Sequence, residues 1–502
     1  MVATTRPAAG RFALPAISTH TVGLLLVPLA AIAVALVQPV DFDYWWHRRT
    51  GEYIVTHLAV PRSDTYSFTM QGHAWTDHEW LSQALMFLAD SAFGYLGLFL
   101  LFMALGGAAW WLVYRLLRSE GLGELQALAL SIVPAAFGAT YWRARPAMFT
   151  VFFVALFISE MTAARRGERH TLWRLIPLTM LWANLHGGYV IGLALMAMLA
   201  AAQWWDRRTT AGPGWKHVAL VLGAAFLAAG INPYTYRLWL YPLTYFTGGN
   251  ASLAQLDEWQ SPDFHQARNL PLAALLVAGL IAGANGRRFD AWRSLLVAAF
   301  GLMALQSMRH QPLYAIAWTA AAGPALLDRW PSWGRTPERR ASPRMLNYGL
   351  LAAGVAALLT VVVSSPNGLP LRAAPTGGSM PYPVAGAAWI DAHQHGARIF
   401  NAYEWGGYVI DRLYPDERVF IDGRADLYGP LVVEYDGITR GEGWQEAFDR
   451  YGVDVVLLPP KLPIVEKLRA AGWTTGYEDG DQVALVRPGG ASARPAGSPA
   501  SP

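Results

Sequence analysis

The stretch Val22–Val37, VGLLLVPLAAIAVALV, is followed by the acidic motif Asp41-Phe42-Asp43, and together they set the organisation of this chain. Such an apolar run predicts a first transmembrane helix. Arg6 and Arg11 precede it, and because basic flanks stay on the cytoplasmic side, we expect Asp41 to emerge on the outer side. A cleaved signal sequence with a small-residue site at Ala33-Val34-Ala35 is an alternative, and it also leaves Asp41 outside.

The composition is that of a membrane protein. Of the 502 residues, 54% are hydrophobic and 15% are charged, which is too apolar for one soluble core. The net charge of +4 is spread over short arginine-rich loops, so the bilayer is an expected partner and nucleic acid is not. With no cysteine, the chain has no disulfide and no thiolate catalyst or ligand.

Apolar runs predict a polytopic α-helical protein with about eleven transmembrane helices. The predicted spans are residues 22–37, 98–113, 127–142, 149–161, 175–185, 190–205, 218–231, 270–284, 295–307, 313–327 and 350–363. The run 238–246 is too short to cross and is expected to be re-entrant or interfacial. Basic residues such as Arg118 and Arg165 fall in loops that alternate with acidic ones, which favours a multi-pass protein of the cytoplasmic (inner) membrane with its N-terminus inside and its C-terminal domain outside.

The remaining segments complete the predicted domain organisation. They are a cytoplasmic tail (1–20), a transmembrane domain (21–363) with a long outer loop (39–94), a Pro/Gly-rich linker (364–380), a small extracytoplasmic α/β domain (381–488) and a disordered tail (489–502). Apolar spacing predicts two interfacial helices in the outer loop, around Trp45 and from Trp80. The α/β domain is predicted to contain strands at 397–400, 418–421 and 454–458 and a closing hairpin across Asp479-Gly480.

Two acidic clusters belong to the outer loop. Asp41 and Asp43 can aim both carboxylates at one ligand, where they would bind a hard cation or act as a base, and His47 lies one helical turn further on. Ordinary acids just outside a membrane are the plainer interpretation. In Asp77-His78-Glu79, a helix cap explains Asp77 but leaves His78 and Glu79 as contributors to an outer site.

Basic groups recur at the same predicted face. Arg143, Arg145, Arg309 and His310 follow or precede predicted helix ends, where guanidinium groups can grip a phosphate by forked hydrogen bonds. Snorkelling towards lipid headgroups is the alternative for any one of them. His186 precedes Gly187-Gly188 in a tight turn, where it either satisfies backbone groups or joins the site.

The α/β domain offers weaker candidates. Asp422-Gly423-Arg424-Ala425-Asp426 follows a predicted strand, where ligand loops usually lie, although Asp-Gly turn chemistry explains it without a ligand. Asp391-Ala392-His393-Gln394-His395 is expected to be surface. The sequence contains no P-loop, G-x-S-x-G or H-E-x-x-H pattern.

The chain resembles the GT-C superfamily of membrane glycosyltransferases, and bacterial GT-C-like proteins in particular. The resemblance rests on residues 41–47 (DFDYWWH), 49–52 (RTGE), 61–64 (PRSD), 77–81 (DHEWL), 400–408 (FNAYEWGGY) and 420–426 (FIDGRAD). It implies a GT-C-like fold and inverting transfer of a hexose or pentose from a polyprenyl-phosphate donor to a glycan, lipid or protein acceptor. It also implies that Asp41 or Asp43 is the base or a metal ligand. A divalent ion, Mg²⁺ or Mn²⁺, is optional in the superfamily.

Three other functions are alternatives to this one. A secondary transporter places ionisable residues near the bilayer midplane, and the predicted span centres here are nearly free of them. A polysaccharide polymerase or ligase would act on lipid-linked glycans at the same face. A non-catalytic scaffold of the same fold is the third alternative.

Overall fold

The computed structural model describes residues 17–37, 41–139, 141–206, 211–246, 257–284, 289–328, 344–364 and 382–489. Most of the predicted N-terminal tail, linker and C-terminal tail lies outside these ranges. The structure is mostly helical, at 69%, with a small sheet near the C-terminus.

Thirteen α-helices precede the C-terminal domain within the described ranges. They are α1 (Thr19–Val37), α2 (Tyr44–His57), α3 (Trp80–Ser119), α4 (Glu124–Ala139), α5 (Ala147–Arg165), α6 (Leu175–Leu185), α7 (Tyr189–Trp205), α8 (Trp215–Ala229), α9 (Tyr236–Phe246), α10 (Leu270–Ala284), α11 (Ala291–Gln306), α12 (Gln311–Leu327) and α13 (Arg344–Ser364). Every predicted span falls mainly on one of them. By length and composition alone, Trp80–Ser119, Ala147–Arg165 and Ala267–Ala284 can each cross a membrane, and seven shorter helices are apolar. The number of crossings therefore stays a prediction.

Helix α12 lies at the centre of the helical bundle. Every residue from Gln311 to Ala325 is buried, among helices that include α4, α5, α10 and α11. Alanine and glycine at positions such as Ala317, Ala321 and Gly323 let the neighbouring helices approach closely.

The outer loop is built on two packed helices. Helix α3 has a kink at Gly94, whose φ of 63° is left-handed, and this kink coincides with the predicted end of the outer loop. The part before the kink packs against α2, where Gly51 meets the backbone of Gln83. A Cβ at Gly51 would lie 2.1 Å from the Gln83 carbonyl oxygen, so the two helices approach at a point where only glycine fits.

One end of the bundle is tied by ion pairs between helix ends. The Arg165 guanidinium lies 2.9 Å from Asp206 and 2.8 Å from Asp290, which joins the ends of α5 and α7 to the segment before α11. Glu120, just after α3, pairs with Arg166 and Arg293. These contacts fix the helix ends that the sequence analysis assigns to the cytoplasmic side.

The C-terminal domain is a five-stranded mixed sheet with helices. Its elements are α14 (Val384–His393), β1 (Arg398–Asn401), α15 (Gly406–Leu413), β2 (Arg418–Val419), α16 (Ala425–Tyr428), α17 (Leu431–Thr439), α18 (Trp444–Tyr451), β3 (Val455–Leu458), α19 (Pro463–Ala470), β4 (Thr474–Glu478) and β5 (Val483–Val486). The strand order is β2-β1-β3-β5-β4, with β2, β1 and β3 parallel and β5 and β4 antiparallel. The predicted strands and hairpin are all present, whereas α17 was not predicted.

The outer loop extends this sheet. Ser67 forms a parallel bridge with Val419, and the Phe68 amide donates to the Val419 carbonyl at 3.1 Å. The Thr69 hydroxyl donates to the Phe420 carbonyl at 2.6 Å. Because β2 is an edge strand, this pairing covers backbone groups that would otherwise be exposed. The C-terminal domain is therefore docked on the outer loop by main-chain hydrogen bonds.

The contact between α2 and α3 predicts how the fold responds to added volume. We expect Gly51→Ala to lower the free energy of unfolding by about 1–3 kcal/mol, because the new methyl group would overlap the Gln83 carbonyl. The matched control is Gly107→Ala in α3, where nothing lies within 4 Å of an added Cβ. Thermal unfolding in detergent measures both variants, and equal midpoints would contradict the predicted contact.

Candidate active site

A cavity of 520 Å³ lies where helix ends, the outer loop and the C-terminal domain meet. Of the residues proposed from sequence, Asp41, Asp43, His47, Asp77, His78, Glu79, Arg143, Arg145, His186 and Arg309 line it. His310 does not, because the short 3-10 helix Met308–His310 sends Arg309 towards the cavity and turns the His310 ring edge-on to Trp259. The structure thus gathers groups that are up to about 270 positions apart in the sequence.

The acidic pair sits in the turn before α2. Asp41 receives the Asp43 amide at 3.1 Å, and its Oδ2 lies 3.5 Å from the Arg145 guanidinium. The Trp46 indole N–H donates to Asp43 Oδ1 at 2.8 Å. Burial, with the adjacent Asp41 carboxylate, raises the pKa of Asp43 well above its ordinary value. Asp41 is thus the carboxylate that is ion-paired, and Asp43 is the one whose pKa burial raises.

Arg145 and Arg309 form the basic wall of the cavity, and Glu258 holds them together. The Glu258 carboxylate accepts from both terminal nitrogens of Arg145, at 3.2 and 3.4 Å, and from Arg309 at 3.1 Å. Burial alone would raise the pKa of Glu258, but the two guanidinium groups lower it to about 2. Arg309 also lies over the Trp259 ring, 4.9 Å from its centroid. Arg143 lines the same wall.

Glu79 is surrounded by three histidines. Its carboxylate lies 3.3 Å from His186 Nε2, 3.6 Å from His78 Nε2 and 3.7 Å from His47 Nε2. The Gly188 amide donates to His186 Nδ1 at 3.0 Å, so Nδ1 is an acceptor and Nε2 carries the proton that faces Glu79. His186 thus has both roles that its sequence context left open.

The three histidines beside Glu79 differ in the direction of their pKa shifts, and only that of His78 is raised. Burial lowers the pKa of His47 to about 4 and that of His186 to about 3. Burial also opposes charge on His78, but the adjacent Glu79 carboxylate outweighs it and raises the His78 pKa above 6.5. For Glu79, the histidines outweigh burial and lower the pKa. Of the three histidines, His78 is therefore the one whose charged form Glu79 favours, whereas burial favours the neutral forms of His47 and His186.

Asp77 does not cap α3. The helix begins at Trp80 without a side-chain cap hydrogen bond, and Asp77 instead accepts from the Gln83 amide at 2.7 Å. Burial raises the pKa of Asp77 to about 7. The predicted capping role is therefore wrong, and Asp77 is a wall residue of the cavity.

The C-terminal domain supplies the opposite wall. Tyr403 and Glu404 follow β1, and residues 423–426 follow β2, so the carboxyl ends of two parallel strands face the cavity. Asp426 accepts from the hydroxyl of Tyr241 in α9 at 3.1 Å. Tyr435 and Asp436 of α17 add further polar groups. The Asp-Gly segment is thus a cavity loop rather than only a turn, whereas Asp391 and His393 lie exposed at the end of α14.

A resident divalent ion does not fit the acidic pair. Among the residues that the structure describes, no group of three or more His, Asp or Glu side chains is arranged to hold a metal ion. Asp41 and Asp43 provide two carboxylates, but the Arg145 guanidinium lies 3.5 Å from Asp41 and the Trp46 indole occupies Asp43 Oδ1. A cation at this point would face an immediate positive neighbour, so we derive no step through a metal.

The solved structures that are similar to this chain include two membrane enzymes. Arabinofuranosyltransferase AftD from Mycobacteria aligns with a TM-score of 0.51 at 15% identity, over 94% of this chain and 40% of its own. ArnT from Cupriavidus metallidurans, in the apo state, aligns with a TM-score of 0.51 at 13% identity, over 92% of this chain and 96% of its own. This chain thus spans only 40% of the AftD chain. No protein-family model and no curated protein sequence matches it.

The comparison concerns the fold. Both structures are membrane glycosyltransferases of the GT-C superfamily, so the chain has the GT-C fold, as the sequence resemblance predicted. The identities are too low to transfer a donor, an acceptor or a residue's role.

The histidine cluster predicts a pH-dependent stability. His78 has a raised pKa, so its pairing with Glu79 stabilises the fold fully below pH 6.5, and this contribution is lost as the pH rises through the folded-state pKa. Glu79→Gln removes the anion, and burial then opposes charging of all three histidines as the pH falls. We expect the variant to be destabilised more at pH 6 than at pH 8, as measured by thermal unfolding.

The control for that measurement is Glu446→Gln, which changes an exposed carboxylate in α18. It should shift the unfolding midpoint little at either pH. A Glu79→Gln variant with the same loss of stability at both pH values would show that Glu79 does not hold His78 charged.

Proposed function

We propose that this protein is an inverting glycosyltransferase that moves a sugar from a polyprenyl-phosphate donor to an acceptor at the outer face of the cytoplasmic membrane. The observation that carries the proposal is that Asp41 and Asp43 share one cavity with Arg143, Arg145 and Arg309. Such a transfer needs a base for the acceptor hydroxyl and positive charge for the departing phosphate, and the cavity offers both. The GT-C fold supports the same reaction class.

Asp43 is the base in this proposal. The Asp41 carboxylate is already engaged by a fixed cation, because its Oδ2 lies 3.5 Å from the Arg145 guanidinium. Asp43 has a pKa raised by burial and by Asp41, and a carboxylate with a raised pKa accepts a proton more effectively near neutral pH. The hydrogen bond from Trp46 to Oδ1 fixes the orientation of the carboxylate.

The arginine wall is the donor side. Glu258 holds the guanidinium groups of Arg145 and Arg309 side by side, so a phosphate would meet two donors that are already oriented. Negative charge grows on the lipid phosphate as the glycosidic bond breaks, and preorganised guanidinium groups stabilise that charge without reorganising. Arg143 adds a third positive group to this wall.

The C-terminal domain is the acceptor side. Tyr403, Glu404, Tyr435 and Asp436 line the same cavity as the arginines. Carboxylates and tyrosines hydrogen-bond well to sugar hydroxyls, and aromatic rings provide apolar surface for a sugar face. Asp43 lies between the two walls, where an acceptor hydroxyl and the donor carbon would meet.

The proposed orientation of the protein in the membrane rests on the distribution of basic residues between the two ends of the helical bundle. The ion-paired helix ends around Arg165, Arg166 and Arg293 lie on the end of the bundle opposite to the cavity. Placing the basic end in the cytoplasm puts the cavity and the C-terminal domain outside.

The central test is donor turnover. Purified protein is incubated with a panel of polyprenyl-phosphate sugars and simple glycoside acceptors, and release of polyprenyl phosphate is measured. We expect Asp43→Asn to lower the rate by at least about 100-fold, because the amide cannot take the hydroxyl proton. Asp449→Asn, an exposed change in α18, should keep the wild-type rate. Undiminished turnover by Asp43→Asn would remove Asp43 from the role of base.

The pH dependence of transfer gives a second test. The base acts only when it is deprotonated, so kcat/KM should fall as the pH falls through the pKa of Asp43. Because burial raises that pKa, we expect the acid limb of the profile to lie well above the ordinary value of 3.8. A limb at that ordinary value would mean that the essential group is not a buried carboxylate of this kind.

A further inference from the structure

Gly423 of the C-terminal domain lies against the carboxylate of Asp43. A Cβ added at Gly423 would sit 1.7 Å from Asp43 Oδ1, 2.9 Å from its Cγ and 3.2 Å from the Trp46 indole nitrogen. Gly423 is not in the left-handed region of backbone space, so its conformation does not require glycine. The requirement is spatial: only a residue without a side chain leaves Asp43 in its hydrogen-bonded position.

The neighbouring residue holds this loop in place. Arg424 is buried and donates to both oxygens of Asp422, at 2.8 and 2.6 Å. Its remaining nitrogen, Nη1, lies 2.7 Å from Asp64 of the outer loop, and the guanidinium lies over the Trp75 ring, 4.7 Å from the centroid. A planar, forked cation satisfies these contacts together, so the loop has one docked position.

The two carboxylates that Arg424 contacts, Asp64 and Asp422, are themselves held by hydrogen bonds. Asp64 accepts from the Ser67 hydroxyl at 2.6 Å and from the Ser67 amide at 3.1 Å. Asp422 accepts from the Tyr428 hydroxyl at 2.5 Å. Asp64 and Asp422 are therefore each held by hydrogen bonds within their own part of the chain.

A second close approach lies beside the first. Gly407, in α15, faces the same motif, where an added Cβ would lie 2.8 Å from the Phe42 carbonyl oxygen and 3.4 Å from the Trp46 amide nitrogen. The C-terminal domain thus touches residues 42–46 with one glycine from a loop, Gly423, and one from the first turn of α15, Gly407. The backbone of the C-terminal domain at these two glycines is therefore in direct contact with the turn that carries Asp43.

We propose that the loop Asp422-Gly423-Arg424 is a positioning element for Asp43. Gly423 confines the Asp43 carboxylate and the Trp46 indole between the two domains, and Arg424 anchors Gly423 at that place. The proposal rests on Asp43 being the base of the proposed transfer. It makes the C-terminal domain a structural part of the catalytic centre, because without the docked loop the base is not held.

The kinetic test compares two glycines of the same domain. Gly423→Ala should lower kcat by about 100-fold, the usual effect of moving a catalytic group by about 1 Å. The KM for the donor should change little, because the arginine wall is untouched. The control is Gly480→Ala in the hairpin turn, where nothing lies within 4 Å of an added Cβ, and it should keep the wild-type kcat and KM. A Gly423→Ala variant with wild-type kcat overturns the proposal.

The pH profile separates positioning from general damage. In Gly423→Ala the carboxylate is displaced, so the acid limb of kcat/KM should shift together with the fall in kcat. A variant that merely loses active molecules would keep the wild-type limb. An unshifted limb with a reduced rate therefore also overturns the proposal.

A third measurement needs no turnover. The chain contains no cysteine, so Asp43→Cys combined with Gly423→Cys introduces the only thiols. The distance of 2.9 Å from the added Cβ to Asp43 Cγ places the two Cβ atoms in the range that a disulfide spans, about 3.5–4.5 Å. We expect a disulfide on mild oxidation, and none for Asp43→Cys combined with Gly480→Cys.

The outcomes distinguish the two proposals. If the disulfide forms but no donor in the panel is turned over, the docked loop stands and the proposed transfer fails. If transfer occurs but the disulfide does not form, the positioning proposal fails alone. Should Gly423→Ala not fold, the disulfide decides the question.

Discussion

A buried guanidinium group joins the two parts of this molecule. Arg424 has 1% of its side chain exposed, and a charge in that position is stable only if its partners are present. One partner, Asp422, comes from its own domain and the other, Asp64, from the outer loop. Separating the domains would leave Arg424 and Asp64 without each other, which typically costs about 3–5 kcal/mol for a buried pair. The docking of the C-terminal domain is therefore a condition of the fold.

The same rule shapes the rest of the cavity. The buried acids there lie against basic side chains: Glu258 between two arginines, and Glu79 among three histidines, of which His78 has the raised pKa. Sharing allows several ionised groups to stay in a confined space with fixed directions. Asp43 is the exception: the donor to its carboxylate is the neutral Trp46 indole, and burial with the adjacent Asp41 carboxylate raises its pKa. A group whose charge is less well compensated than that of its neighbours is the one best able to exchange a proton.

The sequence predicted the apolar helices and many of the residues that line the cavity, but not the contacts among them. Hydropathy locates α1 and its successors because burial in lipid demands continuous apolar runs, and alternation of charge assigns Asp41, Arg145 and Arg309 to one face. Neither hydropathy nor charge alternation shows which side chains contact each other across neighbouring helices. Nothing local marks Glu258 as the bridge between two arginines, and His310, one residue beyond Arg309, is turned away by a single 3-10 turn.

The glycine beside Asp43 shows why such contacts escape a reading of the sequence. Asp422-Gly423 has the composition of a turn, and turn chemistry would account for it fully. Its backbone is not left-handed, however, and the space is taken by a carboxylate almost 400 positions earlier in the chain. A glycine required by a distant neighbour looks identical, in sequence, to one required by its own dihedral angles. The one usable signal was topological: the loop follows a parallel strand, and the carboxyl ends of such strands are where an α/β sheet meets its ligand.

In the proposed transfer, this arrangement accounts for a base at the seam between the two parts of the chain. The arginine wall belongs to helix ends and the short segments beside them, which is the side assigned to the lipid phosphate. The wall from the C-terminal domain is the side assigned to the acceptor. A catalytic carboxylate built entirely into either part would be oriented towards one substrate only. Held between Trp46 on one side and Gly423 on the other, Asp43 is oriented by both parts at once. Its geometry is therefore correct only when the donor side and the acceptor side are assembled.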